Sequence, residues 1–174
     1  MRVAIDAREL AGRPTGVGRY LAGLLDGWSA SGALARHQMT LIANQPVADV
    51  SRWPVDVTVL PGNGGTLWEQ TTLSRGVAAQ RADVLFAPGY TAPLTVPTPL
   101  VLTIHDVSYF AHPEWFSFRE GVRRRMLTRW SARRARHVIT DTEFSRAEIA
   151  THVGVDARVI PLGIADDRSV AGSH

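Results

Sequence analysis

Two short stretches of this chain hold residue types that can do chemistry. The first is Thr103-Ile104-His105-Asp106, closing an apolar run that begins at Leu100. An imidazole changes charge near neutral pH, and beside a carboxylate it can polarise a hydroxyl or carry a proton. Adjacent side chains on a strand point to opposite faces, so His105 and Asp106 serve one site only where the strand is already breaking. The alternative is a structural histidine bonded to a nearby carbonyl. The second stretch is Thr15-Gly16-Val17-Gly18-Arg19-Tyr20. Glycines let a backbone approach a ligand closely, and N–H groups at a helix N-terminus attract anions. This loop faces a phosphate or sugar, or it is a turn that needs positive φ angles; spacing alone leaves both open.

A third feature is the arginine-rich segment from Phe118 to Arg136. Phe118, Val122, Met126 and Trp130 recur at steps of four, which on a helix makes a slowly drifting apolar stripe. Either the segment contacts an anionic membrane or phosphorylated acceptor, or it is a solvated face with an ordinary core stripe, the simpler expectation. The remaining histidines, His37, His112, His137, His152 and His174, show no ligand spacing, and no metal site is expected.

Absences narrow the chemistry further. The chain has no cysteine, which excludes disulfides, zinc–thiolate sites and thiol nucleophiles. It has no lysine either: all 19 basic residues are arginine, which excludes Schiff-base chemistry and a P-loop lysine. A net charge of +3 gives nucleic-acid binding little support. Gly12, Gly16 and Gly18 do not form G-x-G-x-x-G, and the second strand ends Leu41-Ile42-Ala43-Asn44 without the acid a dinucleotide ribose needs. No run approaches the roughly 20 apolar residues that span a bilayer, and no secretory leader is recognisable, so a cytoplasmic protein is expected.

The elements that must position these residues alternate between β-branched runs and helical stretches, the cadence of an open, doubly wound parallel sheet. Strands are expected at Arg2–Asp6, Gln38–Ala43, Val55–Leu60, Asp83–Ala87, Leu100–Ile104, His137–Thr140 and Arg158–Ile160. Helices are expected after the glycine loop through Trp28, at Leu67–Ala79, from Phe118 to Arg136 and at Glu143–His152. The sequence divides into one domain over residues 1–164 and a linker or frayed tail over 165–174. Ligands of such sheets sit beyond the C-terminal ends of the strands.

Read in order, Gly16-Val17-Gly18-Arg19-Tyr20, Leu67-Trp68-Glu69-Gln70 and Ala87-Pro88-Gly89-Tyr90-Thr91-Ala92-Pro93-Leu94 are followed by Thr103-Ile104-His105-Asp106, Asp141-Thr142-Glu143-Phe144-Ser145-Arg146 and Val159-Ile160-Pro161-Leu162-Gly163. This succession resembles glycosyltransferase family 4, most closely its mannosyltransferase-like enzymes, from Val3 to about Ile164.

The resemblance implies the Rossmann-like N-terminal half of a GT-B enzyme, which transfers a sugar from a nucleotide-sugar with retention and usually without a metal or other cofactor. It implies an acceptor-binding domain here, with a glycan or lipid-linked acceptor and GDP-mannose or a UDP-sugar as donor. The donor's nucleotide is expected on a C-terminal domain carrying an E-x7-E motif past the end of this chain, so the chain alone is expected to be inactive. The implied catalytic residues are His105 and Asp106, and the implied substrate-binding residues are Gly16, Val17, Gly18, Arg19, Tyr20, Tyr90, Thr142 and Ser145. Peripheral contact with the inner face of the cell membrane and self-association through the uncovered cleft are further expectations. Thr142 stands where the family usually has serine, Leu162 for a common asparagine and Ala165 for a common aspartate. A non-catalytic glycan- or partner-binding module is the alternative reading.

Overall fold

Seven short aliphatic runs pair side by side as one parallel sheet in the computed structural model, which describes residues 1–13 and 15–163. They are β1 (Arg2–Asp6), β2 (Gln38–Ala43), β3 (Asp56–Val59), β4 (Val84–Ala87), β5 (Leu100–Thr103), β6 (His137–Thr140) and β7 (Arg158–Val159). Their order is β3-β2-β1-β4-β5-β6-β7, and every pairing is parallel. The fold is the expected Rossmann-like α/β arrangement. The expected tail at 165–174 lies outside the described residues.

The helices are α1 (Gly16–Ala30), α2 (Ala33–Arg36), α3 (Thr66–Trp68), α4 (Ser74–Ala79), α5 (Ser108–Ala111), α6 (Phe118–Arg134) and α7 (Glu143–His152). A π-helical turn, Glu69–Leu73, joins α3 to α4, so the single helix expected over Leu67–Ala79 is interrupted in its hydrogen-bonding pattern. Such turns recur at functional sites.

Alternation along β1 shows how the sheet is covered. Val3 and Ile5 pack with Leu21 and Leu25 of α1, whereas Ala4 belongs to the opposite layer with Leu73, Val77 and Ile149. Strands buried on both faces read as continuous apolar runs, which is why β1 and β2 stood out in the sequence.

The α6 helix departs from expectation. Its buried residues are Gly121, Thr128, Ser131 and Ala132, while Phe118, Met126 and Trp130 are exposed. The core stripe expected from their spacing is therefore overturned. The inner face is instead tied by hydrogen bonds: Ser131 Oγ accepts from the Ala92 N–H at 3.0 Å, and Thr128 Oγ1 pairs with the Tyr109 hydroxyl at 2.9 Å.

Candidate functional site

The strand order runs outward in both directions from the β1–β4 pair, which makes that pair the topological switch point. Chain connections leave a crevice at such a point, beyond the strands' C-terminal ends. A cleft of about 220 Å³ lies there, lined by residues that include Asp6, Arg8, Val17, Tyr90, Thr91 and Arg123.

Its floor is a buried charge cluster of Asp6, Arg8 and Glu69. The Arg8 guanidinium pairs with Asp6 Oδ2 at 2.8 Å and with Glu69 Oε2, and its other amino group donates to the Gly64 carbonyl at 3.1 Å. Glu69, in the π-helical turn, also accepts from Thr91 Oγ1 at 2.6 Å and from the Gln70 side-chain amide at 2.7 Å. Burial raises the Asp6 pKa and the Glu69 carboxylate adds to the rise, against the opposing pull of Arg8. Burial works to lower the Arg8 pKa, but the two carboxylates outweigh it and hold the guanidinium above the usual arginine range.

Next to the cleft stands His105. Its Nδ1 shares a hydrogen bond of 2.7 Å with Asp141 Oδ2, and its Nε2 lies 3.2 Å from the Pro88 carbonyl oxygen. The pairing follows from register: Thr103 of β5 lies opposite Ile139 of β6, which carries His105 and Asp141 to the same level two residues later. Asp141 Oδ1 is buried and has no hydrogen-bond partner among the described residues. The Tyr20 ring meets the imidazole edge-on at 4.6 Å, and burial raises the Tyr20 pKa.

Asp106, expected to act with His105, faces a different neighbour. Its Oδ1 accepts from Ser108 N at 2.9 Å and Ser108 Oγ at 2.7 Å, so it ties down the start of α5. The carboxylate at the imidazole is Asp141. Thr142 and Ser145 are likewise bonded within the protein: Thr142 Oγ1 caps α7 by accepting from Ser145 N at 3.0 Å, and Ser145 Oγ donates to the His105 carbonyl at 2.9 Å.

The glycine segment is not a turn with positive φ at Gly16 and Gly18. Both lie in the first turn of α1, and the positive φ nearby is at Gly12. Thr15 caps this helix by accepting from Gly18 N at 3.0 Å, and the Gly16 and Val17 amides are first-turn groups with no acceptor inside the helix. Gly18 is fixed by packing: a Cβ there would sit 2.2 Å from the Glu9 carbonyl oxygen, while at Gly16 it would meet nothing within 4 Å. Arg19 is exposed, and Tyr90 lies in the cleft wall under the Arg124 guanidinium, 5.1 Å from the ring centre.

The structure thus gathers Val17, Tyr90 and, beside them, Tyr20 and His105 at one edge of the sheet. Sequence reasoning had not singled out Asp6, Arg8 or Arg123 as site residues, and it had Glu69, Thr91 and Asp141 only inside motifs. Among the described residues, no group of three His, Asp or Glu side chains is placed to hold a metal ion, and no helix is long and apolar enough to cross a membrane. A family model described as Glycosyltransferase Family 4 matches residues 14–168. No curated protein matches the chain.

Proposed function

Because this chain belongs to Glycosyltransferase Family 4, we propose that it forms the acceptor-binding wall of a retaining transferase that moves a sugar, mannose first among candidates, from a nucleotide-sugar. The observation that carries this reading is the polar cleft at the β1–β4 switch point with His105 at its side. At about 220 Å³ it is smaller than the ~300 Å³ at which pockets for drug-sized ligands begin, a size suited to one sugar ring. Tyr90 offers that ring an aromatic face, and Thr91 and Arg123 offer polar groups.

In this reading the leaving diphosphate takes the acceptor hydroxyl's proton in a front-face displacement. The first-turn amides of Gly16 and Val17 stabilise the leaving charge. His105 orients the sugar, exchanging its longer bond, the 3.2 Å contact with Pro88, for one to the ligand. Asp141 keeps the imidazole aimed. A glycan-binding module without turnover is the second reading, favoured by the internal bonding of Asp106, Thr142 and Ser145.

Calorimetric titration of the chain tests the division of labour. Glycan acceptors should bind and lose affinity in Tyr90→Ala, whereas GDP-mannose and UDP-sugars should bind only at millimolar concentration or weaker, since one helix N-terminus supplies about 1 kcal/mol. Micromolar binding of a nucleotide-sugar to these residues would put the donor site in this domain.

A further inference from the structure

The outward face of α6 carries what the fold's interior does not use. Phe118 is 83 % exposed, Trp130 47 % and Met126 43 %, and nearby Leu67 of α3 is 75 % exposed. Leu67 adjoins this face because Arg123 of α6 donates to Thr66 Oγ1 at 2.7 Å. At 3.6 residues per turn, Phe118, Met126 and Trp130 share roughly 140° of arc with Arg119, Arg123, Arg129 and Arg133.

No carboxylate lies on that arc. The helix's one acid, Glu120, is on another side and pairs with Arg124 at 2.9 Å. Arg119 and Arg133 have no carboxylate within ion-pair distance among the described residues. The opposite face is closed by Gly121, Thr128, Ser131 and Ala132, so the large apolar residues cannot be explained as core displaced by a turn of the helix.

We propose that this face seats the protein on an anionic membrane surface, with α6 lying in the plane of the interface. Aromatic side chains and arginine stems both gain at the boundary between headgroups and acyl chains: the rings and methylenes leave water while the guanidinium groups meet lipid phosphates. A protein partner with an apolar groove would match the rings but would have to supply several carboxylates for the unpaired arginines. A bilayer rich in acidic headgroups supplies that charge everywhere. The helix has 17 residues and a strongly basic composition, which fits lying on a membrane and not crossing it. Arg123 belongs both to this face and to the lining of the switch-point cleft, so docking brings the cleft mouth beside the headgroups.

Co-sedimentation with vesicles tests the proposal on the chain as it stands. Vesicles of phosphatidylcholine mixed with phosphatidylglycerol should pellet the protein, pure phosphatidylcholine vesicles several-fold less, and added salt should release it. Arg119→Gln with Arg133→Gln should weaken binding on the order of tenfold at low salt. Phe118→Ser with Trp130→Ser should weaken it by at least about tenfold through lost apolar contact. All four positions are exposed, and circular dichroism melts confirm that the variants stay folded. Equal pelleting by neutral and anionic vesicles, or binding indifferent to both double variants, overturns the proposal. So does a self-associated species that dissolves on Trp130→Ser while vesicles leave the protein in solution, because the face would then join two copies of this chain.

Discussion

The Asp6–Arg8–Glu69 cluster and the His105–Asp141 pair stand at the same edge of the sheet and use similar ingredients, a nitrogen-bearing side chain bonded to carboxylate groups, yet they are finished differently. Glu69 is 2 % exposed, and its oxygens accept from Arg8, Thr91 and Gln70. Arg8 in turn reaches Gly64. Three of these bonds, Arg8 to Glu69, Arg8 to Gly64 and Thr91 to Glu69, tie separate pieces of the switch point together: the segment after β1, the turn before α3, the π-helical turn and the segment after β4. His105 and Asp141 are more open to solvent, and one of the Asp141 oxygens has no partner among the described residues. A buried charge with all its bonds used holds a shape; a half-open one with capacity left can exchange partners with a ligand. The first region builds the cleft, and the second keeps bonding capacity at its side.

Glu69→Ala should break the comparison on the side of stability. It leaves Asp6 as the one carboxylate bonded to Arg8 and takes an acceptor from Thr91 and from Gln70, and losing one partner of a buried ion pair costs about 3–5 kcal/mol. Urea unfolding measures it. A loss below about 1 kcal/mol, the level of an exposed pair, would mean the cluster is not what holds the cleft.

His105→Ala should sharpen the same comparison from the other side. On the proposed reading, kcat for sugar transfer should fall about 100-fold or more, the scale of a lost positioned polar group, with a smaller loss of donor affinity. Stability should change by only about 1 kcal/mol, as for an ordinary hydrogen bond. Turnover per folded molecule that stays unchanged while the melting temperature drops would make His105 structural, like the Glu69 cluster.

The two regions were unequally legible in the sequence. His105 was found because a histidine closing an apolar strand is a local signal. Its partner was misjudged as Asp106, since pairing with Asp141 needs to be known from β5 and β6 being neighbours in register. With that order in hand, Asp141, at the matching level of the next strand, is the natural candidate. The buried cluster had no local signal: Asp6 and Arg8 meet Glu69 across 61 to 63 positions of chain, through a π-helical turn that no periodicity announces. Strands β1, β2 and β6 and helix α7 were read to their ends because continuous apolar runs and a capped helix are local properties. The four-residue stripe of α6 misled for the same reason in reverse. Spacing marks a face but not which way it turns, and here the loop around Ala92 bonds the small polar face inward.

The smallest expected effect concerns charge balance, in which the two regions also differ. His105 and Asp141 are one imidazole and one carboxylate, whereas the buried cluster sets two carboxyls against one guanidinium. Asp6 is the group whose ionisation the site resists: its pKa stands above 3.8, raised first by burial, with Glu69 adding to the rise against the pull of Arg8. In the unfolded chain Asp6 releases its proton near 3.8; the folded protein keeps it to higher pH. Between those two values the native state binds more protons than the unfolded state, so stability contributed by Asp6 is full below the lower value and is lost as pH rises through the upper one. Asp6→Asn has no such titration. Its stability relative to the parent chain should therefore improve steadily across that window and level off above it, whatever constant offset the amide introduces. Urea unfolding of both proteins at a series of pH values reads the slope directly. A difference that is flat, or that slopes the other way, would mean that Arg8 outweighs burial and that Asp6 is ionised throughout.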